Sequence, residues 1–149
     1  MKRIKRKIDT FLRVSKNYGF RGVFNRIKIR VIFIIKRVDF ARIKLEEIEE
    51  SVPNKKKGTM FVATTFHGLS NSIKKIEKLD NEIFNGTFLD YGSGKGLTLY
   101  TTYKLGFKKV IGVEFLKHLC DISKNNLSKL LPKNANIDVV NCDASNFIP

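Results

Sequence analysis

The chain has 149 residues, 42% of them hydrophobic with 12 Phe among them, and a formal net charge of +15. That length and apolar content suit about one packed domain and exclude a disordered polymer. Its two cysteines, Cys120 and Cys142, form no CxxC pair and no apolar signal segment opens the sequence, which argues against a disulfide scaffold and for a reducing, cytoplasmic setting.

The charge is uneven. Residues 1–45 hold 15 of the 29 Lys and Arg but only Asp9 and Asp39 of the 14 acids, so a basic arm precedes a nearly neutral body. In "MKRIKRKIDTFLRVSKNYGFRGVFNRIKIRVIFIIKRVDF" cations alternate with Ile, Phe, Leu and Val, and the longest apolar run, Val31 to Ile35, is far short of the roughly 20 residues that span a bilayer. Three roles remain open for such an amphipathic segment: packing its apolar side on the body, lying as a peripheral anchor on an anionic membrane at the inner face of the cell, or, with less weight, binding nucleic acid. Gly19 to Gly22 predicts a break between two helices. The acidic run, Pro53 and the three lysines before Gly58 then read as a linker, so the expected organisation is an arm over 1–50, a linker over 51–59 and a body over 60–149.

Through the body, helix and strand alternate. Ser70 or Ser72 is expected to cap a helix carrying Ile73, Ile76 and Leu79, and "GTFLDY" follows as a buried strand. "LTLYTTYKLG" predicts a helix ended by Gly106, and "KKVIGVEF" a second strand. Leu116, Leu119, Cys120, Leu127, Leu130 and Leu131 share one face of a helix closed by Pro132, before a third strand in "NIDVVNCD". Short connections in this order imply a parallel sheet with helices on its faces, an α/β architecture.

The glycine-rich "DYGSGKG" therefore follows the first strand and opens a helix, where ligands bind in open α/β sheets. Lys95 lies between Gly94 and Gly96 and no Ser or Thr follows it, so this is not a phosphate-cradling P-loop. A dinucleotide fingerprint would place glycine at 97, where the chain has Leu97; the spacing is Gly92, Gly94, Gly96. Asp90, two residues ahead, would repel a pyrophosphate but accept hydrogen bonds from an ammonium group. Glu114 ends the second strand, where a carboxylate can take both hydroxyls of a ribose. Asp143 ends the third, where it can accept from the exocyclic amine of adenine while the Ala144 N–H meets a ring nitrogen. Ammonium, ribose and adenine together describe S-adenosylmethionine.

"FLDYGSGKG", "VIGVEF" and "VVNCDASNF" resemble the first three motifs of class I S-adenosylmethionine-dependent methyltransferases, in order and separation, over residues 60–149. The variant carrying Ser93 and Lys95 is similar to a bacterial branch found beside polysaccharide genes, and more distantly to non-SET histone lysine methyltransferases. The resemblance implies a Rossmann-like sheet, with S-adenosylmethionine as cofactor, the loop backbone on its methionine part, Glu114 on the ribose and Asp143 on the adenine. Tyr91 and Phe115, which follow key carboxylates, are candidates to pack on the cofactor or to fill the core.

Methyl transfer from a sulfonium needs an aligned nucleophile and at most a base, so no catalytic triad and no metal is expected. His67 is the one candidate base, because similar enzymes place the segment entering that helix at the sulfonium edge; a structural role for it carries more weight. His118 reads as a surface residue. The family's fourth strand, which carries acceptor contacts, has no counterpart before Pro149, so the domain is expected to be partial and the acceptor is open: a small molecule, a glycan or a lipid-linked intermediate. The alternatives are a protein lysine methyltransferase and a noncatalytic remnant that binds membrane or nucleic acid.

Overall fold

The computed structural model describes Gly19, residues 22–41, Ile43, Thr64 and residues 66–149, apart from the His67 side chain. The chain divides into two compact units, Met1–Val38 and Asp39–Pro149.

In the first unit, the described part of helix α1 covers residues 22–35. Gly19 has a left-handed φ of 63°. The helix closes with Lys36 N–H on the Ile32 carbonyl at 2.9 Å and Val38 N–H on Phe33 at 3.0 Å, across Arg37 at φ 51°. Seven of its 14 residues are Val or Ile, side chains that lose χ1 freedom in a helix, so it depends on apolar surroundings more than on propensity. The helix expected before Gly19 lies outside the described residues. The compact units meet at Val38 and Asp39, and Asp39 is hydrogen-bonded to groups of the second unit described below.

The second unit is a parallel sheet with helices, the α/β architecture expected. Helix α2 is Phe66–Glu77, followed by a 3-10 turn, Asn81–Asn85. Strand β1 is Thr87–Tyr91, α3 Leu97–Leu105, β2 Lys109–Glu114, α4 Lys117–Leu130 and β3 Ile137–Asn141, and a last 3-10 turn spans Ala144–Asn146. Strand order is β1-β2-β3, so β2 is central. Leu89 pairs with Ile111 and Asp90 with Gly112 across the first ladder, and Gly112 with Val139 and Glu114 with Asn141 across the second. That register brings the carboxyl ends of all three strands to one edge.

Central position explains the composition of β2: Val110 and Val113 are fully buried, and Leu99 of α3 and Leu119, Cys120 and Leu127 of α4 are buried in the same core. Gly112 lets α3 and the glycine loop approach β2 closely, since a Cβ there would lie 2.5 Å from Leu99 and 2.8 Å from Ser93. At the opposite end Phe107 packs edge-on against Phe84 and Phe88, with ring centroids 5.1 and 5.3 Å away. Gly106, at φ 108°, ends α3 as expected, its N–H reaching the Thr102 and Tyr103 carbonyls.

The first body helix differs from expectation. It starts at Phe66, so neither Ser70 nor Ser72 is its cap; Ser70 is buried inside it and the Ser72 hydroxyl donates to the Gly68 carbonyl at 3.2 Å. The Phe66 ring meets Tyr100 of α3 at 6.4 Å, a contact between distant segments that extends the helix toward its start. Ile73 is buried as expected, whereas Ile76 is exposed and Leu79 lies past the helix end, 89% exposed.

Candidate cofactor site

Between Tyr91 and Leu97 the chain turns from β1 into α3 through Gly92, Ser93, Gly94, Lys95 and Gly96. All three glycines have positive φ, 78°, 53° and 84°, a region that strains residues with a Cβ. The Gly92 and Ser93 N–H groups both donate to the Val113 carbonyl, at 2.8 and 3.0 Å; Gly94 N–H donates to Glu114 Oε2 at 2.9 Å and Gly96 N–H to Ser93 O at 3.0 Å. Four of the five loop amides are thus occupied by acceptors within the protein. A phosphate cradle needs such amides aimed outward, so the geometry agrees with the exclusion of a P-loop.

Acids surround this loop. Glu114, the last residue of β2, is 4% exposed, and its carboxylate takes Gly94 N–H on one oxygen and Leu116 N–H, at 3.0 Å, on the other. Both oxygens are held in place while each keeps further lone-pair capacity. Asp90, one residue before the end of β1, is partly buried; burial and the Glu114 charge push its carboxyl up to about 6, against the hydrogen bond from the Thr98 hydroxyl. Two carboxylates on neighbouring strand ends, one of them poorly solvated, make a locus that favours a cation.

Of the other expected site residues, Tyr91 is half exposed with its ring edge-on to Phe147 at 6.2 Å. Phe115 is partly buried and packs on Leu116 and Leu119, the core-filling alternative. Asp143 is not in β3, which stops at Asn141. Its Oδ1 accepts from the Ser145 N–H at 2.9 Å and the Ser145 hydroxyl at 2.8 Å, capping the turn in which Ala144 is exposed. The residue at the strand end is Asn141, whose amide donates to the Glu114 and Phe115 carbonyls, both at 3.0 Å, and ties the end of β3 to that of β2. His67 falls in the first turn of α2, but its side chain lies outside what the structure describes. Among the described residues no group of three or more His, Cys, Asp and Glu could hold a metal.

One part of the site was not anticipated. Lys95, in the middle of the glycine loop, is 2% exposed and pairs with Asp39 Oδ2 at 2.7 Å. Burial alone would raise the Asp39 pKa, but the bonds from the Lys95 ammonium and the Ala41 N–H outweigh it and hold the carboxyl below its usual range. Asn126 of α4, fully buried, completes the clasp: Oδ1 accepts from Asp39 N–H at 2.9 Å, and Nδ2 donates to the Asp39 carbonyl at 2.8 Å and the Lys95 carbonyl at 3.1 Å. The loop is therefore fastened from outside by a segment 56 residues upstream. A signal existed, since Ser123 and Asn126 interrupt the apolar face of α4 at helical spacing; Asp39, within a run of cations, carried none.

No protein-family model and no curated protein matches the chain. Among solved structures, it is similar to a candidate RNA methyltransferase of Pyrococcus horikoshii, at 24% identity and a TM-score of 0.52 over 70% of this chain and 51% of that one. It is also similar to a candidate S-adenosylmethionine-dependent methyltransferase of Methanococcus maripaludis (24% identity, TM-score 0.40, 60% and 48% covered) and to a protein-L-isoaspartate O-methyltransferase (16%, 0.49, 80% and 44%). The chain spans about half the length of these proteins, and the first likeness carries the structural argument. The parallel β1-β2-β3 order with its helices is part of a class I methyltransferase fold.

Proposed function

We propose that the carboxyl edge of the sheet binds S-adenosylmethionine and that the protein serves methyl transfer. The observation that carries the reading is the pairing of an inward-satisfied glycine loop with the Asp90 and Glu114 carboxylates, an arrangement suited to a cationic ligand and not to a pyrophosphate. Asp90 would accept from the ammonium group, Glu114, already oriented by two backbone N–H groups, from the ribose hydroxyls, and Asp143 with the Ala144 N–H would meet the adenine. Half-exposed Tyr91 would form one wall. When bound, the cofactor supplies a methyl group activated on a sulfonium, which leaves the protein the tasks of positioning and of excluding water. His67 stays the candidate base, and the acceptor is a small molecule, a glycan or a lipid-linked intermediate.

Amide-resolved NMR titration reads even weak binding by this chain. S-adenosylmethionine is expected to shift the amides of Gly92, Gly94, Gly96 and Leu116, with NAD leaving them in place. Shifts produced by NAD instead, or no loop response to millimolar S-adenosylmethionine, would overturn the assignment.

A further inference from the structure

α1 carries a face that the protein leaves in solvent. Phe24, Ile27, Val31, Ile34 and Ile35 are 68, 53, 45, 74 and 72% exposed. Their spacing of three, seven, ten and eleven residues from Phe24 puts them on one side of the helix. Exposed Lys28 and Arg30 border that side, Lys36 lies just beyond its end, and no acid occurs between Asp9 and Asp39. We propose that this face lies in the headgroup layer of an anionic phospholipid bilayer, with the helix axis parallel to the surface.

Three observations select this partner. The 14 described helical residues extend about 21 Å, short of the roughly 30 Å hydrocarbon core, and no helix among the described residues is long and apolar enough to cross it, which suits a helix lying on a bilayer. The net charge of +13 over residues 1–45 complements anionic headgroups. Nucleic acid would satisfy the cations but leave five large apolar side chains in water, whereas the acyl boundary takes both. A helix half composed of Val and Ile also gains most from an apolar medium, since its own propensity is weak.

The chain lacks Trp, so Phe24→Trp introduces a sole reporter on the face. Vesicles of phosphatidylcholine and phosphatidylserine at about two to one are expected to shift its emission to the blue and to cosediment with the intact chain; phosphatidylcholine alone should do neither. Ile27→Glu with Ile34→Glu should weaken cosedimentation at least tenfold, as should Lys28→Glu with Arg30→Glu. Ile27→Leu with Ile34→Leu should retain it, as should Leu79→Glu, which alters an exposed apolar residue of the other unit. Circular dichroism melts identify any variant that fails to fold, and the reporter arm stands without such variants. An unshifted emission, equal binding by the Glu double variant of the apolar face, or tighter binding to single-stranded RNA that this variant preserves, would overturn the proposal.

Discussion

α4 and the described part of α1 are each 14 residues long and both amphipathic, yet they use their faces in opposite ways. α4 buries Leu119, Cys120, Ser123, Asn126 and Leu127 and turns Lys and Asn to solvent; α1 leaves Phe24, Ile27, Val31, Ile34 and Ile35 exposed. Helical periodicity states that a face needs covering, but not what covers it. In α4 the covering surface is β2 and β3, and Asn126 is tolerated on that face because its amide meets backbone partners of the loop clasp. In α1 no comparable polar latch interrupts the exposed stripe, as suits a face that meets lipid.

If the contrast holds, the largest loss follows from Asn126→Ala, which leaves the part-buried Asp39 N–H and carbonyl and the buried Lys95 carbonyl without their amide. Unfolding in urea should show about 2–4 kcal/mol of destabilisation, at about 1–3 kcal/mol for each orphaned group with partial relaxation. Gly96→Ala comes next, at about 1–3 kcal/mol, because φ is 84° and the new Cβ would overlap the Ser123 side chain. Combining it with Ser123→Gly should restore only part of the loss, since the backbone strain remains; full restoration would show that overlap alone mattered.

Asp90→Asn has the opposite sign. The folded protein holds this carboxyl at about 6, above its ordinary 3.8, so the ionised form destabilises the fold, and stability rises as pH falls from about 6 toward 4, where the folded chain binds the extra proton. The variant should therefore be more stable than the parent at pH 7 by about 1–2 kcal/mol, a figure reduced from the full shift because the group is only partly buried. That gain should vanish near pH 4. The same substitution should remove S-adenosylmethionine binding, and in the parent the affinity should fall about tenfold per pH unit below 6 as Asp90 protonates. A variant that is destabilised at pH 7, or that binds as before, would contradict the reading of Asp90 as a strained cation site.

The smallest effect is expected in α1. Without vesicles, Ile34→Ala should alter the urea midpoint by no more than about 0.5 kcal/mol, as surface substitutions do. A loss comparable to that of Asn126→Ala would mean that α1 is covered by protein, and the comparison with α4 would fail.

Much of the body was legible because its signals are local. Gly106 stops α3 where a left-handed residue is needed, Pro132 follows the end of α4, and "VIGVE" reads as a strand buried on both faces, as central β2 is. Glu114 could be placed at a strand end from the same pattern. Asp143 could not: its separation from the last strand residue depends on where the β2–β3 ladder stops and on the bond to Ser145, which makes it a cap. The start of α2 was misjudged for a related reason, since a serine favourable for capping competed with the contact of Phe66 on Tyr100.

By itself the sequence determined the α/β order, the loop of alternate glycines and its exclusion of a P-loop, and the basic arm, all of which rest on residue type and on spacing within a few turns or strands. Tertiary structure alone decided that the loop amides face inward onto Val113 and Glu114, that burial lifts Asp90, and that Lys95 is fastened to Asp39 through Asn126. The physical reason is range. A turn or a cap is settled among neighbouring residues, whereas desolvation and a hydrogen bond spanning 87 residues exist only after β2 and α4 have closed around the loop.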